Sequence, residues 1–128
     1  MHSTCSDGQL TPIELVALAA RRSVAAIAIT DHDTVDAYAE ARPTAEAKSI
    51  SLIPGVEISA LYEREVHILG YFFDYENAQL QTLLAKQGDR RIQRIHEICE
   101  RLSTQGIGIS SEEVLAGCDG NAGRPHVA

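Results

Sequence analysis

The stretch that most constrains this chain is Val24-Ala25-Ala26-Ile27-Ala28-Ile29, a continuous apolar run that gives way abruptly to Thr30-Asp31-His32-Asp33. A run this short and unbroken fits a strand buried on both faces, as in a parallel sheet. Open α/β sheets and barrels gather their chemistry just beyond the carboxyl ends of such strands. The switch from apolar to ionisable residues therefore marks both an element and a candidate site.

Helical and extended patterns alternate on either side. Thr11-Pro12-Ile13-Glu14 has the form of a capping box with proline at the first helical position, and Leu15, Val16, Leu18 and Ala19 follow at helical spacing. This predicts a helix over 12–22. A second helix is predicted over 35–48, with Pro43 expected to kink or split it. Residues 51–59 read as a strand interrupted by Pro54-Gly55, and residues 65–72 as a further strand that pairs with it or neighbours it. A long amphipathic helix is predicted over 77–104, with a stripe of Leu80, Leu83, Leu84, Ile92, Ile95, Ile98, Cys99 and Leu102, bent at Gly88 and ended by Gly106. A short helix over 111–116, a turn-rich loop over 117–123 and the start of another helix at Arg124-Pro125 complete the pattern. Alternating helices and buried strands predict an α/β fold with a parallel sheet or barrel, in one domain.

Charge narrows the function classes. The formal net charge is −7, which argues against a protein that grips duplex DNA through its phosphates. An acidic chain can still process a phosphate ester where metal ions supply positive charge. No apolar run approaches the roughly 20 residues of a membrane span, and no basic region followed by an apolar stretch opens the chain. The expected setting is the cytoplasm. Cys5, Cys99 and Cys118 lack CxxC spacing and are expected to be reduced thiols, with Cys5 a small neutral filler.

The ionisable clusters at predicted strand ends are His2 with Asp7, then Asp31-His32-Asp33, then Glu57, then His67. Three imidazoles with several carboxylates form a ligand mixture that suits zinc, manganese or iron. Each residue also has a plainer reading. His67 alone fits a satisfied buried histidine, and Asp7-Gly8 is a common turn. Asp33 or Thr34 could cap the following helix, although capping accounts for only one residue of the triplet. Glu57, between Val56 and Ile58, is harder to dismiss, because a carboxylate near a core is costly unless paired or metal-bound. His96 reads as structural. Arg90, Arg91 and Arg94 read first as the solvated face of the long helix and second as phosphate contacts.

In order along the chain, His2-Ser3-Thr4-Cys5-Ser6-Asp7-Gly8, Ile29-Thr30-Asp31-His32-Asp33-Thr34, Pro54-Gly55-Val56-Glu57-Ile58-Ser59, Val66-His67-Ile68-Leu69-Gly70 and Gly123-Arg124-Pro125-His126-Val127-Ala128 resemble the successive motifs of the PHP (polymerase and histidinol phosphatase) family of metal-dependent phosphoesterases. The resemblance implies a distorted (β/α)7, TIM-like barrel with two or three divalent metal ions (Mn, Fe or Zn) at the carboxyl ends of its strands. His2, Asp7, His32, Glu57 and His67 correspond to metal ligands. Asp31 and Asp33 correspond to neighbouring catalytic-site residues that orient the histidine, and Arg124 and His126 to contacts with substrate phosphate. The plainer reading of the last motif is a helix entry using Pro125.

The Ser-Asp-Gly and Thr-Asp-His-Asp-Thr forms resemble the subgroup acting on 3′,5′-nucleotide bisphosphates or on RNA 5′ ends, with histidinol-phosphate phosphatase as the alternative enzyme. The expected partner is a small phosphorylated substrate rather than duplex DNA or a membrane. Relative to the family pattern, the strand carrying a first histidine is absent, as are later His-Pro and Asp-x-His motifs. The chain is therefore expected to be the amino-terminal part of one such domain, a partial barrel over residues 1–128 with little activity of its own. A non-catalytic metal-binding remnant or an interaction fragment completed by another chain is the competing expectation.

Overall fold

The computed structural model describes residues 1–61 and 63–128. Helix α1 spans Pro12–Arg21, strand β1 Ala26–Ile29, helix α2 Asp36–Ala47, strand β2 Ser51–Leu61 and strand β3 Glu65–Tyr71. Helix α3 then runs from Ala78 to Thr104, helix α4 from Ser111 to Ala116, and a 3-10 turn from Arg124 to Val127. The α1 capping box is formed: Glu14 N–H donates to Thr11 Oγ1 at 3.2 Å, and Thr11 N–H returns a bond to Glu14 Oε2 at 2.8 Å.

β1, α2 and β2 make a βαβ unit with the two strands parallel, Ala26 opposite Ser51 through Ile29 opposite Pro54. The main core lies between this unit and α1. Ile27 and Ile29 meet Leu15, Val16 and Ala19 of α1 and Ala37, Ala41 and Ala45 of α2. The alanines recur every fourth residue, so α2 presents a smooth face and packs closely.

Two breaks expected in the elements are absent. Pro43 lies inside α2 without dividing it, because residue 43 and residue 39, whose carbonyl loses its partner, are both on the exposed side, where water replaces the missing bond. β2 also passes through Pro54-Gly55 as one strand, because these residues mark a change of partner. Residues 51–54 pair with β1, and Gly55 opposite Tyr71 begins an antiparallel ladder with β3. A Cβ on Gly55 would stand 2.8 Å from the Ile29 carbonyl oxygen, so the close approach of the two backbones at this changeover requires glycine. The sheet has order β1-β2-β3 and is mixed rather than purely parallel. The fold is α/β as expected, and the closed barrel lies beyond what this three-stranded sheet displays.

α3 crosses the site end of this sheet, with two small apolar clusters along its inner face. Leu84 packs with Val35 and Val56, and Ile95 and Cys99 pack with Ala122. Leu83 and Ile92, expected in the buried stripe, are exposed. Between the clusters the inner positions carry Gln87 and Arg91 instead, and here the helix passes the ionisable residues.

Candidate metal centre

Each ionisable motif is placed by a specific backbone feature. Where β1 ends, Glu57 N–H donates to the Asp31 carbonyl and Asp33 N–H donates to the Glu57 carbonyl, both at 3.0 Å. This single bridge sets His32 beside Glu57. In the β2–β3 ladder His67 is opposite Ser59 and Leu69 opposite Glu57, so His67 and Glu57 are diagonal neighbours within side-chain reach. Thr30 N–H donates to the Met1 carbonyl at 2.8 Å, which brings His2 alongside the end of β1.

The five predicted ligands converge. His67 Nδ1 lies 2.6 Å from Glu57 Oε1, and His2 Nε2 lies 3.2 Å from Glu57 Oε2. Asp7 stands across the group, 3.4 Å from His2 Nδ1 and 3.7 Å from His32 Nε2. The His32 ring centroid is 4.6 Å from that of His2 and 4.9 Å from that of His67. One ligand atom each from His2, His32 and Glu57 fall within 4.8 Å of one another.

The donor set fits divalent metal ions. Among the described residues, the buried side-chain polar atoms without a hydrogen-bond partner are His2 Nδ1 and His32 Nδ1, both in this cluster. Their nearest acidic oxygens, at 3.4 and 3.8 Å, lack hydrogen-bond geometry. Buried polar atoms are ordinarily satisfied, and unpaired imidazole nitrogens facing carboxylates are what a cation would bridge. Burial pushes the His32 pKa down, and the Arg91 charge adds to the effect, against the pull of Asp7 and Glu57. The neutral imidazole so favoured is the metal-binding form.

Asp31 and Asp33 are both buried, but neither holds the His32 ring as expected. The Asp31 carboxylate accepts from Ser3 N–H at 2.6 Å, from the Ser3 hydroxyl at 2.5 Å and from the Ser6 hydroxyl at 2.6 Å. It ties the turn bearing His2 and Asp7 to the end of β1. Asp33, in the left-handed region at φ 55°, accepts from Ser59 N–H at 2.8 Å and from Arg91 Nε at 2.5 Å. Both carboxylates are thus engaged by donors away from the His32 ring, and they fix His32 through the backbone on both sides.

A cavity of about 380 Å³ opens on the cluster, lined by Asp7, His32 and His67 and by Glu65, Arg94 and Arg124, with Glu65 Oε1 3.7 Å from His67 Nε2. Arg94 grips Glu65 with both terminal nitrogens, at 2.5 and 3.0 Å, and Arg124 Nη2 lies 3.4 Å from the same carboxylate. These donors, Arg94 first, hold the Glu65 pKa at about 2. Arg124 is therefore on the cavity wall. His126 is not: its Nδ1 accepts from Gly123 N–H at 3.0 Å, closing its own turn.

The solvated-face reading of the arginines holds for Arg90, which is exposed and bonds Gln87. It fails for Arg91 and Arg94, which point at the site. A sequence signal existed: Gln87 and Arg91 fall on the arc between Leu84 and Ile95 where an apolar stripe would continue. Glu65 and Asn121 carried no comparable signal. His96 bonds the Ser111 hydroxyl at 2.8 Å, in keeping with a structural role. Cys5 packs against the main core, and burial raises its thiol pKa, which suits a neutral filler.

A family model described as the PHP domain matches residues 1–119. The chain belongs to the PHP domain family. Among curated PHP-related sequences, a 5′-3′ exoribonuclease of Haemophilus influenzae is 41% identical over 128 residues, covering 99% of this chain and 47% of the relative. A 3′,5′-nucleoside bisphosphate phosphatase of Chromobacterium violaceum is 35% identical over 119 residues, covering 92% of this chain and 42% of the relative. Solved structures agree in fold. A Chromobacterium violaceum amidohydrolase structure with bound sulfate and no metal has a TM-score of 0.89 at 34% identity, over 98% of this chain and 45% of that one. A structure from Bifidobacterium adolescentis described as a metal-dependent phosphoesterase has a TM-score of 0.87 at 35% identity, over 98% of this chain and 46% of that one. The chain spans less than half the length of these relatives.

Proposed function

We propose that the chain carries the metal-holding part of a phosphoesterase site that hydrolyses phosphate monoesters of nucleotides, 3′,5′-nucleotide bisphosphates or RNA 5′ ends. The observation that carries this reading is the pair of unpartnered buried imidazole nitrogens, His2 Nδ1 and His32 Nδ1, in a cluster with Asp7, Glu57 and His67. The relatives named for bisphosphate phosphatase and exoribonuclease activities support the substrate class.

His2, Asp7, His32, Glu57 and His67 are the proposed ligands of two or three divalent ions, Mn, Fe or Zn. Such ions supply Lewis acidity toward phosphate oxygens and acidify water. Glu57 is central, since its two oxygens lie within 4 Å of three imidazoles. Arg124, whose side chain is 64% exposed beside the cavity, is free to turn toward a phosphate oxygen. Asp31 and Asp33 act by holding the ligand-bearing backbone. The βαβ unit is proposed as part of a distorted (β/α)7 barrel. The 128-residue chain alone is expected to turn over little substrate.

The cytoplasm is the proposed setting, supported by the three free cysteines. No helix among the described residues is long and apolar enough to cross a membrane.

The test is elemental analysis of the purified chain for Mn, Fe and Zn, beside a His32→Ala, Glu57→Ala double variant. Stoichiometric metal that disappears in a folded variant supports the reading. A folded chain that takes up none of the three overturns it. Phosphate release from a 3′,5′-nucleotide bisphosphate, compared with histidinol phosphate, then separates the two enzyme alternatives.

A further inference from the structure

The loop over 117–123 connects α4 to the turn that begins at Arg124, and it makes bonds unlike those of a simple connection. The Asn121 carboxamide nitrogen donates to two successive carbonyls, those of His32 and Asp33, each at 3.0 Å. Its backbone N–H donates to the Cys5 carbonyl at 2.9 Å. One residue thus bonds both segments that meet at the proposed metal centre, the turn carrying His2 and Asp7 and the strand end carrying His32. The neighbouring carbonyl, that of Ala122, faces Arg91 Nη1 at 3.4 Å, and Arg91 in turn holds Asp33. A Cβ on Gly120 would stand 2.2 Å from the Cys5 carbonyl oxygen, so the loop backbone lies directly against that turn.

We infer that Asn121 is a positioning residue for the metal centre, holding the His32–Asp33 backbone by its carbonyls and coupling it to the loop that leads to Arg124. The inference rests on the metal-binding reading of the cluster. The backbone here needs a holder. Asp33 has φ 55°, a conformation that costs a non-glycine residue on the order of 1 kcal/mol and persists only when its surroundings fix it. β1 ends at Ile29, and beyond it, among the described residues, the backbone pairing of this segment with the sheet is the bridge to Glu57. The His32 ring has no hydrogen-bonded partner at Nδ1 to orient it, so the geometry of its backbone sets where Nδ1 and Nε2 point. The carboxamide is suited to the task because its two N–H groups serve two acceptors at once, which neither a hydroxyl nor a carboxylate can do.

Partners that orient metal ligands typically contribute about 10–100-fold to metal affinity. The test compares Mn(II) affinity by titration calorimetry, and the Mn(II) electron paramagnetic resonance spectrum, for the unmodified chain, Asn121→Leu and Asn121→Asp. Leucine keeps the volume and removes the donors. Aspartate keeps the shape, removes the donors and adds a negative charge, which by charge alone would strengthen cation binding.

The expected result is weakening of about tenfold or more in both variants, an altered spectrum, and faster amide hydrogen exchange at Asp33 and across residues 120–124 in the metal-free protein. Unchanged Mn(II) affinity in Asn121→Leu, or tighter binding in Asn121→Asp, overturns the inference while leaving the metal centre standing. Failure of the unmodified chain to bind Mn(II), Fe(II) or Zn(II) overturns the metal-centre reading and this inference with it.

Discussion

Arg91, in the middle of α3, donates from Nε to Asp33 Oδ2 at 2.5 Å and from Nη2 to the Ser59 hydroxyl at 2.6 Å. The Asp33 side chain is fully buried and that of Arg91 is 14% exposed. A single guanidinium therefore joins the long helix, β2 and the strand end that carries His32. Removing one partner of a buried ion pair strands the other charge. Arg91→Ala is expected to lower unfolding free energy by about 3–5 kcal/mol. Arg91→Lys should recover only part of the loss, because a point charge cannot serve Asp33 and Ser59 with one planar fork. Urea unfolding measures both, and a loss under about 1 kcal/mol in Arg91→Ala would mean that solvent screens the pair.

Asp31 makes a second, independent prediction. Ser6 is 2% exposed, and its hydroxyl donates into this buried carboxylate. A hydrogen bond to a charged group contributes about 1.5–3 kcal/mol, so Ser6→Ala should destabilise the chain by that amount. It should also loosen the turn bearing His2 and Asp7, read as faster exchange of the Gly8 amide, which donates to the Ser3 carbonyl at 2.8 Å. Normal stability in Ser6→Ala would show that the two remaining donors, both from Ser3, suffice.

These networks explain what the sequence could and could not disclose. β1 and its polar terminus were legible because an unbroken apolar run ending in Asp31-His32-Asp33 has few other uses. The five candidate ligands stood out by residue type, but the expected strand-end placement holds for His32 and not for Glu57, which lies inside β2, or for His67, near the amino end of β3. Partnerships between distant residues were not. Nothing in the local pattern around Arg94 announces Glu65, 29 positions away, and nothing around Asn121 announces the His32 carbonyl, 89 positions away. The family resemblance likewise assigned Asp31 and Asp33 to orienting His32, whereas donors from Ser3, Ser6, Ser59 and Arg91 hold both carboxylates.

The Glu65–Arg94 pair carries a dependence on pH. The folded-state pKa of Glu65 is depressed from 4.5 to about 2, chiefly by the hydrogen bonds from Arg94. A depressed carboxylate stabilises the fold above its unfolded pKa, and that contribution is lost as pH falls through the folded value. The stability difference between the unmodified chain and Glu65→Gln should be constant above about pH 5.5, shrink below about pH 4.5 and vanish near pH 2. Urea midpoints at successive pH values give the comparison directly. A difference that stays flat from pH 6 to pH 3 would show that the carboxylate titrates normally in the fold.

Pro43 yields a prediction of the opposite sign. Proline in a helix interior is about 3 kcal/mol less favourable than alanine, since it removes one hydrogen bond and crowds the preceding turn. α2 tolerates it because residues 39 and 43 are on the exposed side, while Ala37, Ala41 and Ala45 make the buried contacts. Pro43→Ala alters none of those buried contacts and restores the backbone donor for the Ala39 carbonyl. The gain is reduced by the greater freedom of the unfolded chain once the ring is gone. A net stabilisation of about 1–2 kcal/mol is expected, seen as a higher urea midpoint with unchanged slope. Destabilisation would mean that the proline ring itself supports the packing of α2, and that its exposed position conceals a structural contribution.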